Sequence, residues 1–388
     1  MSVGGVDVLL TEEERQLRDT VRSYLDEVVA PLVVQHERDH TFPWQLLPDL
    51  YEFGYVRGMV PEHDGGYGIS HGALAVLMEE AGRCWASLRT TLNVQGMVCH
   101  ILSRLGTPDQ KRRFLQPILE GSRFGWFALT EPDAGSDAAN LRTVAERRGD
   151  TLVLNGRKTY ITNALHADLG IVMARVREGG RDEGVTALLV DRQESPYSVR
   201  DIPHMPVRAT TSCELLFEDC EVPAGNLLGE VGSGLGSAMS AINVGRLSMA
   251  MGAVGIAQAC LEASIDYART REQFGRPIGE FQLVQQMVVD IATATEGARL
   301  LGLKAARTLD AGLPGRYECS MAKYQCGEAA NQAATLAVQV HGGAGLMEEY
   351  PVERYFRDAR EATIPEGTSQ IQVLQMGRAL LGLSATRP

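Results

Sequence analysis

A long helical period of apolar residues in the second half of the chain constrains the fold more than any other feature. The stripe has the spacing of an α-helix and carries Leu247, Met251, Val254, Leu261 and Ile265. It follows the glycine-rich segment GEVGSGLG and runs to about Arg271. At ~1.5 Å per residue it predicts one helix of about 50 Å or more. Further helical patterns over 281–342 and after Glu366 predict a helical bundle over residues 231–388.

The first third of the chain also predicts helices. Thr11 and Glu14 form a capping-box pattern, and apolar residues follow at helical spacing until Pro31, which we expect to end or kink this helix. Further helical patterns cover about 43–55, 72–83 and 90–105, with the glycine-rich loop PEHDGGYG between the first two. Residues 1–122 are therefore predicted to form an N-terminal helical domain.

The pattern changes to short β-rich runs from Phe124 onwards. TLVLNG, with an expected turn at Asn155 and Gly156, is followed by LGIVMARV, VTALLVDR and CELLFEDCEVP. These runs predict a small antiparallel β domain over residues 123–230. The expected fold class is therefore α+β with several domains, in the order helices, β unit, helices.

Charge and cysteine usage limit the partners and the compartment. The net charge of -12 leaves no basic field for nucleic acid or an anionic membrane. The seven cysteines are odd in number, scattered and without a C-x-x-C pair, which predicts reduced structural thiols and a cytoplasmic protein. The start, MSVGGVDVLL, lacks the parts of a signal peptide, and no run of about 18 apolar residues follows. We therefore expect neither a membrane nor a nucleic-acid partner.

Two short motifs match hydrolase signatures. HERDH (36–40) matches the H-E-x-x-H pattern of zinc enzymes, but it ends at Pro43 and no third ligand follows. A zinc hydrolase stays open as an alternative, although a polar helix end near solvent fits better. GISHG (68–72) matches G-x-S-x-G, but a polar loop precedes it where that motif needs a buried strand. No metal site is expected.

Five longer strings lie in order along nearly the whole chain. They are FALTEPDAGSDAANLRT (127–143), NGRKTYITNA (155–164), YARTREQFGRPIGEFQ (267–282), QVHGGAGLMEEYPVERYFRDA (339–359) and IPEGTSQIQ (364–372). Together they resemble the acyl-CoA dehydrogenases. That resemblance implies an N-terminal helical domain, a middle β domain and a C-terminal four-helix bundle, in agreement with the segmentation from periodicity.

The resemblance also implies bound FAD, which would carry the redox chemistry while the protein supplies position and electrostatics. The residues that match the strand and turn lining the flavin are Phe127, Leu129, Thr130, Gly135 and Ser136. Tyr160 and Thr162 match an aromatic residue and a threonine packed against the isoalloxazine, the threonine near N5. The family more often has tryptophan or phenylalanine where this chain has Tyr160.

A third group of residues resembles the part of the family that reaches the FAD of a neighbouring subunit. It comprises Arg271, Phe274, Gln339, Gly342 and Gly343. The planar fork of an arginine suits a pyrophosphate. The resemblance therefore implies an oligomer, either a tetramer or a dimer. Thr368 and Gln370 match FAD contacts that follow the catalytic loop.

Glu366 matches the catalytic base of the family's commonest branch. The proline before it and the glycine after it suit a rigid loop that holds the carboxylate in one orientation. Away from water its pKa is expected to rise, which makes it a useful base. It would take the α-proton of the thioester while hydride leaves Cβ for flavin N5. Other branches carry the base at the position of Gly245, where glycine cannot serve, and the family often has tyrosine where this chain has Pro365.

Arg89 is an unexpected charge in the segment SLRTTLNVQGM (87–97), at the expected bottom of the acyl pocket. It resembles the arginine with which members acting on dicarboxylic thioesters bind a distal carboxylate, in glutaryl-type enzymes and in carrier-protein-linked hydroxymalonyl enzymes of polyketide pathways. The alternative is a helix-surface arginine paired with Glu79 or Glu80. The resemblance also assigns substrate contacts to Ser136, Arg246 and Gly367.

The expected activity is flavin-dependent dehydrogenation of an acyl thioester carried on coenzyme A or on an acyl carrier protein. An electron-transfer flavoprotein or oxygen would accept the electrons. With an α-hydroxyacyl thioester the hydride would leave Cα, and the same base would serve. Two other classes stay open, the HERDH zinc hydrolase and a binding protein or flavin monooxygenase relative that has lost dehydrogenation.

Overall fold

The computed structural model describes residues 6–385. Residues 1–5, the beginning of the segment considered for a targeting signal, and residues 386–388 lie outside the described residues. The N-terminal helices are α1 (Glu12–Tyr24), α2 (Ala30–Asp39), α3 (Leu47–Glu52), α4 (His71–Cys84), α5 (Ala86–Leu105), α6 (Pro108–Gln110) and α7 (Gln116–Leu119). π-helical turns at Leu25–Val29 and Lys111–Leu115 join α1 to α2 and α6 to α7.

The start of α1 confirms the predicted capping box. The Thr11 hydroxyl accepts a hydrogen bond from the backbone N–H of Glu14 at 3.2 Å, and the Glu14 carboxylate accepts one from the N–H of Thr11 at 2.9 Å. The π turn interrupts the α-helical winding directly before Pro31, which then lies in the first turn of α2, where a missing N–H is tolerated. The helix therefore does not end at Pro31 but continues to Asp39, with a change of winding directly before the proline.

The middle of the chain forms one sheet of eight strands. They are β1 (Gly125–Ala128), β2 (Val144–Arg148), β3 (Thr151–Thr162), β4 (Leu169–Glu178), β5 (Arg181–Asp191), β6 (Ser198–Asp201), β7 (Ser212–Pro223) and β8 (Leu227–Leu228). The order is β6-β7-β3-β2-β4-β5-β8, with β1 beside β4. Most pairs are antiparallel, but β1 and β2 each pair with β4 in parallel. The expected antiparallel unit is therefore a mixed sheet.

The turn expected at Asn155 and Gly156 is wrong, because both residues lie inside β3. The pairing of β3 with β7 shifts register between Leu154 and Gly156, which marks a bulge. Gly156 has φ +150°, and a Cβ there would stand 2.8 Å from the Cα of Thr143. The glycine thus permits a close approach of two backbones within a continuous strand.

Both faces of the sheet are buried. Along β4, Leu169, Ile171 and Met173 belong to a core shared with the N- and C-terminal helices. The alternate residues Val172 and Ala174 belong to a second core with Trp126 and Phe217. This alternation follows from the two-residue period of a strand, and it joins the β unit to both helical units.

The last part of the chain contains a hairpin and five helices. They are α8 (Gly234–Thr270), β9 (Glu272–Gln273), β10 (Arg276–Pro277), α9 (Gln282–Asp310), α10 (Arg316–His341), α11 (Val352–Glu361) and α12 (Ser369–Leu381). With 37 residues, α8 is about 55 Å long, as predicted. Among the described residues, α8 is also long and apolar enough to cross a membrane by length and composition, but 89% of its most apolar window is buried inside the protein. It is therefore a core helix.

Bare glycines let α4 and α8 touch at the backbone. A Cβ on Gly82 of α4 would clash with the backbone of Gly252 on α8, at 2.7 Å from its Cα. A Cβ on Gly255 would likewise stand 2.5 Å from the backbone nitrogen of Arg83. The close crossing brings α5, which follows α4 directly, against the middle of α8.

Candidate active site

Glu366 lies in the loop between α11 and α12 with a strained backbone. Its φ is +58°, in the left-handed region, and Gly367 after it has φ +91°. A non-glycine residue in that region costs about 1–3 kcal/mol and persists only where its surroundings hold it. The glycine predicted to free the backbone therefore does so, and the glutamate itself is also held in an unusual conformation.

Three side chains from three helices hold the carbonyls of this loop. Arg246 Nε of α8 donates to the Glu366 carbonyl at 3.1 Å. Lys323 Nζ of α10 donates to the Gly367 carbonyl at 2.7 Å. Gln372 Nε2 of α12 donates to both carbonyls, at 3.1 and 2.8 Å. All three side chains are buried. We call Arg246, Lys323 and Gln372 the loop clamp.

The Glu366 carboxylate lies directly against Gly245 of α8. A Cβ on Gly245 would stand 2.8 Å from the carboxyl carbon. Asn93 Nδ2 of α5 donates to Glu366 Oε1 at 3.3 Å. In other branches of the family that the sequence resembles, the base stands at the position of Gly245. Here that position faces the Glu366 carboxylate, and there is no room for a side chain on it.

The surroundings of Glu366 shift its proton affinity toward neutral pH. Burial raises the pKa of Glu366 to about 7, although Arg246, the hydrogen bond from Asn93, Lys323 and Arg89 act in the opposite direction. Burial likewise lowers the pKa of Lys323 to about 8, against the attraction of Glu366. The rise predicted from the sequence is present, and a carboxylate of this kind suits general base chemistry.

Arg89 lies inside the protein, with 1% of its surface exposed. Its Nη2 donates to Glu361 Oε2 at 2.7 Å, while Nε and Nη1 have no hydrogen-bond partner among the described residues. The alternative of a helix-surface arginine paired with Glu79 or Glu80 is wrong. Those glutamates accept hydrogen bonds from other arginines, Glu79 from Arg299 and Glu80 from Arg22 and Arg83.

The face of α8 aligns Arg89 with Glu366. A Cβ on Gly252 would stand 2.7 Å from Arg89 Cδ and 2.9 Å from Arg89 Nε. Gly252 follows Gly245 by two helical turns, a rise of about 10 Å. Ser248 lies between the two glycines on that face, and its buried hydroxyl has no partner among the described residues. A base and an arginine with free N–H groups thus stand about 10 Å apart along one helix.

The residues expected to line a flavin come together beside β3. The N–H of Thr159 donates to the Thr130 carbonyl at 3.0 Å, and buried Lys158 donates to the Leu129 carbonyl at 2.9 Å. These bonds place the end of β1, which includes Phe127, beside Tyr160 and Thr162 of β3. Tyr160 is 67% exposed with φ +59°. Gly135 and Ser136 follow β1 and are exposed.

The residues expected to reach a neighbouring subunit lie at the ends of α8 and α10. Arg271 and the β9–β10 hairpin follow α8, and Phe274 at the hairpin tip is 94% exposed. Gln339, Gly342 and Gly343 at the end of α10 are also exposed. Tyr267 and His341 stack with ring centroids 4.2 Å apart and join the two helix ends. Separately, the Thr368 hydroxyl caps α12 by accepting from Ile371, and Gln370 is exposed.

The chemistry of these groups fits FAD. Tyr160 presents an exposed aromatic ring two residues before Thr162 at the end of β3, which suits a flat ring system with polar edges. The Arg271 side chain has no hydrogen bond or ion pair with any described residue, so its five donors are available to a phosphate. A Cβ on Gly135, Gly342 or Gly343 would meet nothing within 4 Å, which leaves room at all three turns.

The HERDH motif does not form a zinc site. His36 is on α2, but His40 is the left-handed cap after the helix, so the two imidazoles lack the helical register that the motif requires. Glu37 is buried and accepts hydrogen bonds from Trp85 and Ser87 at 2.8 and 2.5 Å. Within residues 6–385, no three His, Cys, Asp or Glu side chains are grouped to hold a metal. Ser70 of GISHG caps α4 instead of occupying a strand-to-helix elbow.

Family models match most of the chain. The N-terminal, middle and C-terminal domains of acyl-CoA dehydrogenases match residues 11–122, 126–220 and 232–381. The short-chain specific acyl-CoA dehydrogenase of Mus musculus mitochondria is 37% identical over 376 residues, which cover 96% of this chain and 91% of that protein.

Solved structures share the fold over nearly the whole length. A glutaryl-CoA dehydrogenase from Mycobacterium smegmatis in complex with FADH2 superimposes with a TM-score of 0.93 and 29% identity, over 98% of this chain and 97% of that one. The prolyl acyl carrier protein oxidase AnaB gives a TM-score of 0.89 and 30% identity, over 96% and 100%. The predicted order of helical, β and helical units is confirmed. The chain belongs to the acyl-CoA dehydrogenase family of flavin-dependent oxidoreductases.

Proposed function

We propose that this chain is an FAD-dependent acyl-thioester dehydrogenase in which Glu366 removes the α-proton of the substrate. The observation that carries the proposal is the half-buried Glu366, whose carboxylate lies against Gly245 and whose pKa is raised by burial to about 7. A base with this pKa is ionised in a large fraction of molecules at neutral pH and still binds a proton well. Bound FAD would supply the hydride acceptor, with the residues around Thr130, Thr162 and Arg271 as its contacts.

The loop clamp explains how the Glu366 carboxylate is held in a fixed position. Two carbonyls are each held by two donors, and the donors come from α8, α10 and α12. Because the left-handed backbone at Glu366 is costly, loss of a donor would let the loop relax toward common φ values. A carboxylate displaced by 1 Å from the α-carbon would lose much of its effect, since orientation supplies a large part of such a rate.

For the substrate, we propose an acyl group that ends in a carboxylate. Arg89 is buried with Nε and Nη1 unpartnered, and a buried donor without a partner costs about 1–3 kcal/mol. A carboxylate satisfies two such donors at once and is the ligand for which the arginine fork is best suited. The sequence resemblance to dicarboxylic dehydrogenases points in the same direction.

The spacing along α8 favours a five-carbon diacid. An extended chain advances about 1.2 Å per bond, since three bonds span about 3.6 Å. From the α-carbon to the far carboxylate oxygen of a glutaryl group is therefore about 5 Å. Adding about 3 Å to the base and about 2.8 Å to the arginine gives about 11 Å, close to the 10 Å rise between Gly245 and Gly252. A malonyl-type group is about 2.4 Å shorter by the same reckoning.

A second candidate is a hydroxymalonyl-type thioester on an acyl carrier protein. The observation that favours it is the similarity to AnaB, whose name specifies a carrier-protein substrate. In that case a water would have to bridge the shorter acyl group to Arg89. For either substrate we propose an electron-transfer flavoprotein or oxygen as acceptor, a homo-oligomer, and a cytoplasmic location. The seven cysteines are free and buried, which suits a reducing compartment.

The test is anaerobic bleaching of the flavin by a panel of straight, branched and dicarboxylic thioesters on both carriers. We expect a yellow protein that bleaches fastest with the glutaryl thioester. Arg89→Ala should lower kcat/KM for the dicarboxylic substrates by about 100-fold or more and spare the straight-chain ones, because a charge-assisted contact is worth about 3 kcal/mol. A purified protein that cannot take up FAD would contradict the proposal as a whole. Equal losses on all substrates would contradict only the carboxylate.

A further inference from the structure

Glu361 is the resident partner of Arg89. It is the last residue of α11, five positions before the proposed base, and it is buried. Its Oε2 accepts a hydrogen bond from Arg89 Nη2 at 2.7 Å. The Thr90 hydroxyl lies 3.2 and 3.1 Å from its two oxygens. The carboxylate is therefore fixed by two neighbours on α5, and it engages one corner of the guanidinium while Nε and Nη1 stay without a protein partner.

The pairing of Arg89 with Glu361 affects the net charge around the proposed acyl pocket. Arg89, Arg246 and Lys323 are the buried cations of the cluster, and Glu361 and Glu366 are its inner carboxylates. Glu328 also acts on Lys323, but it is exposed, so water screens its charge and it is not counted here. With all five ionised the cluster has a net charge of +1, so it can take one further anion without excess negative charge. Without the charge of Glu361 the net would be +2, and Arg89 would be an unbalanced buried cation, which is strongly unfavourable.

We propose that Glu361 is a specificity-determining residue that sets how strongly the pocket prefers a carboxylate over an uncharged acyl end. Glu361 neutralises the charge of Arg89 when no second anion is present. An uncharged acyl chain can therefore bind without leaving Arg89 as an unpaired buried cation. Glu361 also orients the guanidinium so that Nε and Nη1 remain available. The inference rests on the proposed function, since it assigns Glu361 a role in selecting the substrate of the same site.

The test compares kcat/KM for glutaryl and pentanoyl thioesters, which have equal chain length and differ in the terminal charge. Glu361→Gln keeps the size and an oxygen acceptor for Arg89 and Thr90 but removes the charge. We expect the glutaryl to pentanoyl ratio to rise about 10-fold or more, mostly through KM, because the pocket then needs an external anion. Glu361→Asp, which keeps the charge, should restore most of the wild-type ratio. Glu353→Gln on the same helix, where Glu353 pairs with Arg357, is the matched control and should leave the ratio unchanged.

A second pair of variants decides the matter even if Glu361→Gln does not fold. Arg89→Met leaves Glu361 as a lone buried carboxylate that repels a substrate carboxylate. The double variant Arg89→Met with Glu361→Gln has neither charge, and we expect its ratio to exceed that of Arg89→Met about 10-fold or more. Equal ratios in these two variants, or a ratio in Glu361→Gln at or below wild type, would overturn the role of Glu361. An unchanged ratio in Arg89→Met relative to wild type would instead refute the carboxylate-bearing substrate, so the two failures are distinguishable.

Discussion

Lys323 Nζ of α10 donates a hydrogen bond of 2.7 Å to the carbonyl of Gly367, directly after the proposed base. The lysine is completely buried and also attracts the Glu366 carboxylate. A residue that bonds to the loop backbone thus fixes the loop and favours the ionised form of the base. It is a positioning residue.

Replacing Lys323 by methionine should lower kcat for the uncharged pentanoyl thioester about 10- to 100-fold with little change in its KM, because the loop loses a donor while the acyl pocket keeps its shape. The midpoint of the kcat against pH profile should move upward, since a cation that favours ionised Glu366 is gone. Steady-state kinetics between pH 5.5 and 9 check both effects. Lys304→Met, at an exposed position of α9, is the control. A lower kcat with an unmoved profile would show that Lys323 has only a structural role.

The wild-type rate should depend on pH through the ionisation of Glu366. The proton acceptor is the carboxylate, so kcat for the chemical step should rise with pH and reach half its maximum near the raised pKa of about 7. Stopped-flow reduction of the flavin under anaerobic conditions isolates that step. A profile that is flat from pH 5.5 to 8.5 would mean that another group takes the proton.

Gly245→Ala should disable the base without unfolding the protein. The added Cβ would stand 2.8 Å from the Glu366 carboxyl carbon, and the flexible carboxylate can move where the helix cannot. We expect a loss of kcat of about 10-fold or more with FAD retained. Gly297→Ala on α9, where a Cβ meets nothing within 4 Å, should keep full activity and gain about 0.5–1 kcal/mol of stability. Activity of Gly245→Ala near the wild-type value would contradict the packing described.

Glu366→Gln should stabilise the protein in a pH-dependent way. Because the folded pKa of about 7 lies above the ordinary 4.5, the folded state holds this proton more tightly, and the free energy of unfolding falls as pH rises from about 4.5 to about 7. Glutamine cannot ionise, so the variant does not lose this part of the free energy of unfolding as pH rises. The melting temperature of Glu366→Gln should therefore exceed that of wild type by more at pH 8 than at pH 5. Differential scanning calorimetry at pH 5 and pH 8 measures the two melting temperatures. A difference between variant and wild type that is smaller at pH 8 than at pH 5 would contradict the raised pKa.

Periodicity predicted the helical units well and the sheet less well. The apolar stripe of α8 and the capping box at Thr11 depend on local spacing, which the sequence displays directly. The parallel pairing of β1 and β2 with β4 depends on contacts between distant segments, and Asn155-Gly156 has the local signature of a hairpin turn although its glycine serves a bulge. Turn signals do not show whether a second backbone approaches.

In the candidate site, too, the sequence indicated some residues and not others. Glu366 stood out through its neighbours in sequence, and Arg89 through a charge among small and apolar residues. Their partners gave no local signal, because Glu361 is 272 positions from Arg89 and Lys323 is 44 positions from Gly367. Arg246 was named from the resemblance as a substrate contact, and Lys323 is a lysine beside small and apolar residues, but only the fold shows that both side chains bond to the loop carbonyls.

The rate of anaerobic flavin reduction in Glu366→Gln, with the glutaryl thioester as substrate, shows whether Glu366 accepts the α-proton. The amide keeps the size of the side chain and the hydrogen bond from Asn93 but cannot accept the proton. We expect a yellow variant with normal FAD content whose flavin is reduced about 100- to 10,000-fold more slowly than in wild type. Reduction of the same bound FAD at the wild-type rate would contradict this role of Glu366.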